Sequence, residues 1–174
     1  MTSPDQKLAI VLMGVSGSGK STIGAPLSRR LGATFVEGDT LHTPESIAKM
    51  SAGIPLDDVD RWPWLERVGQ VLAEALDTGN SVIVACSALK RSYRDRLRGI
   101  AGPAVRFVFL EVDREELSRR QQQRRDHYMP ASLLDSQLAT LEPPGEDEHA
   151  IVVRANGGSP DEVAREIADE LTRA

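Results

Sequence analysis

The residues whose types and spacing speak most directly of chemistry lie near the N-terminus. Gly14, Val15, Ser16, Gly17, Ser18, Gly19, Lys20 and Ser21 fit the spacing G-x-x-x-x-G-K-[ST] in full. Such a run is a P-loop when it follows an apolar strand and opens a helix, and residues 8–13 supply that strand immediately before it. Glycines let the backbone wrap closely around phosphates, while successive N–H groups and a helix N-terminus present fixed positive potential to them. In that arrangement Lys20 reaches the β- and γ-phosphates of ATP, Thr22 extends the phosphate-binding run, and the Ser21 hydroxyl ligates Mg²⁺. The N-K-x-D element that a guanine-specific site needs is absent from the sequence, which sets a GTPase aside.

A P-loop names the donor and leaves the acceptor open. In open parallel sheets ligands bind beyond the carboxyl ends of the strands, so the residues after the second and third apolar runs are the first candidates. These are Glu37, Gly38, Asp39 and His42, then Ser87, Ala88, Leu89 and Lys90. Transfer to an alcohol needs a group that takes the hydroxyl proton, and Asp39 is the choice; the plain alternative is an Asx turn or helix cap. Lys49, Arg61, Lys90, Arg91 and Arg94 lie on the flanking segments, and an acidic acceptor would use one or two of them as charge-assisted donors. His42 can donate to a substrate hydroxyl, although a lone histidine is more often structural, and no metal-ligand spacing surrounds it. Arg120 and Arg124, four residues apart, share a helix face within a lid over residues 114–129, where two guanidinium groups would neutralise phosphate charge and exclude water. A solvated arginine-rich helix is the competing reading of that segment.

The elements that must position these groups alternate along the chain. Residues 8–13, 34–36, 81–87, 105–112 and 150–154 read as five strands, each followed by helical periodicity, which implies an α/β fold with a parallel sheet covered on both faces. Residues 64–76 place Trp64, Leu65, Val68, Val71, Leu72, Ala75 and Leu76 on one helical stripe, with Gly79 where a helix end calls for positive φ. Ser159, Pro160 and Glu162 predict the N-cap, first residue and capping-box acid of a last helix running to about Thr172. Pro26 conflicts with the helix that starts near Gly19, and predicts a kink or a shifted start.

The 174 residues suit one domain, 1–174. Their longest apolar run falls far short of the roughly 20 residues that cross a bilayer, and no signal-peptide pattern opens the chain, so a cytoplasmic protein with no membrane contact is expected. The single Cys86 forms no internal disulfide and reads as a small apolar residue in a buried strand. The net charge of −5 argues against nucleic-acid binding, yet residues 90–125 hold eleven Lys or Arg against five Asp or Glu. A basic segment in an acidic chain suits a confined small anion.

Taken together, these residues resemble the bacterial-type gluconate kinases of the shikimate-kinase-like P-loop group. The resemblance rests on residues 14–21, on Glu37-Gly-Asp39 with His42, on Lys49-Met50, Gly53-Ile-Pro-Leu56 and Asp60-Arg-Trp-Pro-Trp-Leu65, and on Cys86-Ser-Ala-Leu-Lys90 with Tyr93-Arg94. It continues in Arg124, His127, Ser136-Gln137 and Leu141-Glu142, so that it spans roughly residues 8–143. It implies a P-loop NTPase fold with strand order 2-3-1-4-5 and a helical lid, Mg·ATP as donor, and phosphorylation of D-gluconate to 6-phosphogluconate at the entry to the pentose phosphate pathway by a homodimer. It also implies that Asp39 faces the acceptor hydroxyl, that Lys49, Arg61 and Lys90 lie near the sugar acid, that Arg120 and Arg124 lie on the phosphates, and that adenine lies near the lid and residues 155–160. Pro26, Thr43 before Pro44, and Tyr128 depart from the family pattern. A kinase for another small hydroxy acid such as shikimate, and an ATP-binding regulatory module, remain the alternatives.

Overall fold

The computed structural model describes residues 7–123 and 131–173. Five parallel strands, β1 (Ala9–Met13), β2 (Thr34–Glu37), β3 (Val82–Ala85), β4 (Val105–Glu111) and β5 (Ile151–Arg154), form one sheet in the order β2-β3-β1-β4-β5. The central strand is apolar at every position because both its faces are covered. Ala9, Val11 and Met13 point to one side, where Trp64, Leu65, Val68, Leu72, Tyr93 and Leu97 pack on them. Ile10 and Leu12 point to the other, against Ile23, Leu27, Val163, Ile167 and Leu171. The period-two alternation of a strand thus feeds two cores. Helices α3 (Asp58–Asp77) and α4 (Arg91–Ala101) cover the first face; α1 (Lys20–Leu31) and α7 (Pro160–Arg173) cover the second. The remaining helices, α2 (Pro44–Ser51), α5 (Arg114–Gln123) and α6 (Ala131–Thr140), lie between strands toward the functional end.

The local signals hold in most places. Gly79 has φ +74 just past the end of α3, and the Ser159 hydroxyl accepts from the Glu162 N–H at 3.2 Å at the start of α7. Cys86 follows β3 directly, is buried, and still donates its backbone N–H to Leu12 O at 3.1 Å; burial pushes its thiol up to about 12. Thr43 is the N-cap of α2, its hydroxyl accepting from the Ser46 N–H at 3.1 Å ahead of Pro44 at the first helical position.

Two expectations shift. The start of α1 is not displaced: it begins at Lys20 and runs through Pro26, whose ring is buried between Ile23 and Leu27 on the core face. Burial of that face offsets the missing donor, a cost of about 3 kcal/mol in an isolated helix. The core helix α3 begins six residues earlier than its apolar stripe. Its first turn is polar and is fixed by a capping box, Asp60 N–H to Asp57 Oδ1 at 2.8 Å and Asp57 N–H to Asp60 Oδ2 at 3.1 Å.

Candidate active site

The P-loop joins β1 to α1 at the carboxyl edge of the sheet. Lys20 Nζ donates to the carbonyls of Gly14 (2.7 Å) and Val15 (3.0 Å), so the ammonium lies across the mouth of the loop. Ser21 Oγ donates to Glu37 Oε2 at 2.7 Å, which brings a hydroxyl from the first turn of α1 and a carboxylate from the end of β2 together across the end of β3. Hard oxygen donors of this kind suit Mg²⁺. Among the described residues no three His, Cys, Asp or Glu side chains converge as a metal site, so Ser21 and Glu37 would share such an ion with phosphate oxygens. Thr22 lines a cavity of about 260 Å³ that runs from Gly17, Ser18 and Gly19 past Arg120 to Ala155, Gly157 and Pro160. This is where the adenine was expected.

Arg120 on α5 stands between these two walls. Its Nη1 donates to Gly17 O at 3.0 Å, its Nη2 to Ala155 O, and its Nε to Glu116 Oε1 at 3.0 Å. Hydrogen bonds from Arg119 and Arg120 hold the Glu116 carboxyl down at about 2, so it remains an anion that orients Arg120. Arg124, His127 and Tyr128 lie outside the described residues, as does the part of the expected lid beyond residue 123.

On the acceptor side the chain leaves β2 in a 3-10 turn, Gly38–Leu41, that carries Asp39 into solvent. The turn is held from three directions. A Cβ on Gly38 would lie 2.2 Å from Ala85 O, Trp64 Nε1 donates to Gly38 O at 2.8 Å, and Arg67 Nη1 donates to Leu41 O at 3.2 Å. His42 stacks on Trp64 with ring centroids 4.2 Å apart, is 6% exposed, and has a buried Nδ1. Burial holds its pKa below the ordinary value, Arg61 adding to the effect and Asp39 opposing it. Its ring therefore braces the turn in the neutral form. The Gly14 N–H bond to Ser87 O at 3.3 Å and the close approach of Gly38 to Ala85 O bring the P-loop and the Asp39 turn together around the end of β3. Gly38→Ala should push this turn off Ala85, costing about 1–3 kcal/mol of stability by overpacking; thermal unfolding together with kcat would show both losses, and an unshifted Tm would contradict the close approach.

The basic residues divide into groups. Lys90 Nζ donates to both oxygens of Asp58 at 3.2 Å, Tyr93 Oη donates to Asp58 Oδ1 at 2.5 Å, and Arg61 Nη1 donates to Tyr93 Oη at 2.8 Å and lies 4.0 Å from Asp58. Two cations and a phenol thus surround a single carboxylate, which leaves net positive charge for an acid. Hydrogen bonds from Tyr93 and Lys90 lower the Asp58 pKa, and the bond to Asp58 raises that of Lys90. Lys49 is apart from this cluster, bound to Asp60 at 2.8 Å. Ser87 lies on the adjoining strand exit, its carbonyl accepting from the Gly14 N–H at 3.3 Å.

Arg91 and Arg94, read from the sequence as flanking the acceptor, do otherwise. Arg91 pairs with Asp147 at the surface. Arg94 is fully buried, and all five of its N–H groups are used: Nε and Nη2 on Glu148 (2.7 and 3.0 Å), Nη1 on Ala88 O (2.9 Å) and Leu89 O (3.2 Å), and Nη2 also on Glu142 O (2.9 Å). A guanidinium saturated by protein acceptors has no donor left for a substrate. Its effect on the site is indirect, since it fixes the loop that leads to Lys90, including Ala88 at φ +45.

The AAA domain family model matches residues 10–144 of this chain. A gluconokinase of Gluconobacter oxydans is 50% identical over 159 residues, covering 91% of this chain and 88% of its own length. The chain belongs to the gluconokinase family. A crystal structure of a gluconokinase from Sinorhizobium meliloti, 46% identical, superposes with a TM-score of 0.87 over 97% of this chain and 94% of its own. The shikimate kinase of Aquifex aeolicus shares the fold alone, with a TM-score of 0.59 at 22% identity over 95% of this chain and 97% of its own. Within the gluconokinase family frame, sequence reasoning gave no site role to Asp58, Tyr93 or Gln137. Tyr93 and Gln137 stood in the family blocks, and Asp58, the first residue of α3, left no signal in the sequence.

Proposed function

We infer that this protein is a gluconokinase, transferring the γ-phosphoryl group of ATP to the 6-hydroxyl of D-gluconate and giving 6-phosphogluconate and ADP. The observation that carries the reading is the convergence, at one sheet edge, of a complete P-loop, the Asp39 turn and the Arg61–Lys90–Tyr93 cluster. Lys20 leaves the Gly14 and Val15 carbonyls for the phosphates, and the N–H groups from Val15 to Thr22 hold them. Asp39 takes the proton of the acceptor hydroxyl as the new O–P bond forms. Arg61 and Lys90 bind the sugar carboxylate, with Lys49, Ser87 and His42 around the polyol chain; Arg120 and Arg124 neutralise the transferring phosphoryl group. Ser21 and Glu37 would hold Mg²⁺, which would supply further neutralisation of the phosphate charge. The family resemblance extends this reading to a cytoplasmic homodimer. Among the described residues no helix is long and apolar enough to cross a membrane.

Coupled ADP release from Mg·ATP, measured with gluconate, shikimate, glucose and no acceptor, tests the function directly. Release that depends strictly on gluconate is expected. Release with shikimate alone would move the protein to another acid, and bound ATP with no acceptor-dependent release would leave a nucleotide-binding regulator. In the same assay Lys90→Met should raise KM for gluconate about 10- to 100-fold, the loss of a charge-assisted hydrogen bond, and leave KM for ATP unchanged. Equal changes in both would take Lys90 out of the acceptor site.

A further inference from the structure

The side-chain carbonyl of Gln137 on α6 accepts a hydrogen bond of 2.6 Å from the Ser16 N–H, across 121 residues of sequence. That N–H belongs to the Val15–Ser16 peptide, and the carbonyl of the same peptide accepts from Lys20 Nζ at 3.0 Å. One peptide unit of the P-loop is therefore held on both of its polar edges. Lys20 is the loop residue that reaches the β- and γ-phosphates, so this peptide marks the γ end of the nucleotide. A backbone N–H at that place is the kind of donor a γ-phosphoryl oxygen recruits, and a neutral amide oxygen is the weaker acceptor of the two. The helix is not free to drift. Leu134, one turn before Gln137 on the same face, packs with Val15, Leu89 and Leu117, and Leu138 packs against that cluster. On the next residue of the loop, Gly17 O is taken by Arg120 of α5.

We propose that Gln137 is a positioning residue that reads the γ-phosphate: it holds the Ser16 N–H in the nucleotide-free and ADP-bound protein and yields it to the γ-phosphoryl oxygen of ATP, which releases the polar tether of α6 to the P-loop. The proposal rests on ATP as the donor and not on the identity of the acceptor.

Calorimetric titration of ADP and of the β,γ-imido analogue of ATP, both with Mg²⁺, into the wild type and the variants Gln137→Leu and Gln137→Glu tests it. Gln137→Leu frees the N–H in advance, so the analogue should bind about 3- to 10-fold more tightly, the yield of one net hydrogen bond, with ADP affinity unchanged. Gln137→Glu keeps an acceptor that does not yield and adds charge beside the γ-phosphate, so the analogue alone should bind more weakly. Equal change for the two nucleotides in either variant, or no change in both, would show a merely structural tether and overturn the proposal. If thermal unfolding shows that the leucine variant does not fold, the glutamate variant decides by the same criterion. Failure of the wild type to bind either nucleotide would overturn the ATP assignment itself, whereas a failed gluconate assay with intact nucleotide binding leaves this test fully readable.

Discussion

Asp39→Asn is expected to lower kcat for gluconate by about 10²- to 10⁴-fold, the usual worth of a positioned proton acceptor, while the affinity for Mg·ATP stays as it is. The substitution is nearly isosteric, and the groups that shape the turn do not involve the carboxylate. They are the contact of Gly38 with Ala85, the Trp64 bond to Gly38 O, and the stack of His42 on Trp64. An amide in the same place keeps the geometry and loses the site to which the hydroxyl proton goes. Steady-state kinetics with an independent ATP titration separates the outcomes. Retention of kcat would remove Asp39 from proton transfer, and parallel loss of ATP affinity would mean that the turn itself had collapsed.

Arg94→Met should be the most damaging change outside the reacting groups, costing about 3–5 kcal/mol because it leaves Glu148 buried without its main partner. For a domain of this size that corresponds to a fall in Tm of roughly 6–20 °C. The Arg94 and Glu148 side chains are each 1% exposed, so water does not replace the lost bonds. Replacing both, as Arg94→Met with Glu148→Leu, should cost less than the single change, since no uncompensated charge then remains. The same ion pair gives the protein an acid limit. Burial pushes the Glu148 carboxyl up, but hydrogen bonds from Arg94, the Gly145 N–H and Arg98 outweigh it and bring the group down to about 2, from an ordinary value of 4.5. As pH falls the unfolded chain takes up the proton first, so this stabilisation is complete above about pH 4.5 and is lost as pH falls through about 2. The single variant should accordingly show a flatter dependence of Tm on pH over that window, and a slope equal to that of the wild type would refute the assignment. Through Ala88 and Leu89 it should also loosen the approach to Lys90 and raise KM for gluconate.

What could be read from the sequence was whatever repeats locally. The five apolar runs are the five strands because a strand covered on both faces shows its burial in its composition, as residues 9–13 do. The P-loop is legible because its chemistry is contiguous. The strand order came from family resemblance, since pairing partners are not written in periodicity. Polar architecture was harder. The opening turn of α3 was missed because it is built from Asp57 and Asp60 and not from apolar spacing. Arg94 reads from the sequence as a flank of the acceptor pocket, although its partners Glu142 and Glu148 lie 48 and 54 residues further on. Asp58, Tyr93 and Gln137 acquire their positions only from contacts between elements distant in the chain.

The strand order also sets a timetable for biosynthesis. β1 leaves the ribosome first, yet its two neighbours in the sheet are β3 and β4, so its last pairing waits for residues 105–109. At roughly 5–20 residues per second the delay is about 5–20 s. Until residues 82–85 emerge the most apolar stretch of the chain has a partner on neither edge, and until residues 105–109 emerge it still has one edge open, a ready substrate for holdase chaperones and for self-association on the polysome. The strand that ends as the innermost of the molecule is thus the one longest exposed during its making.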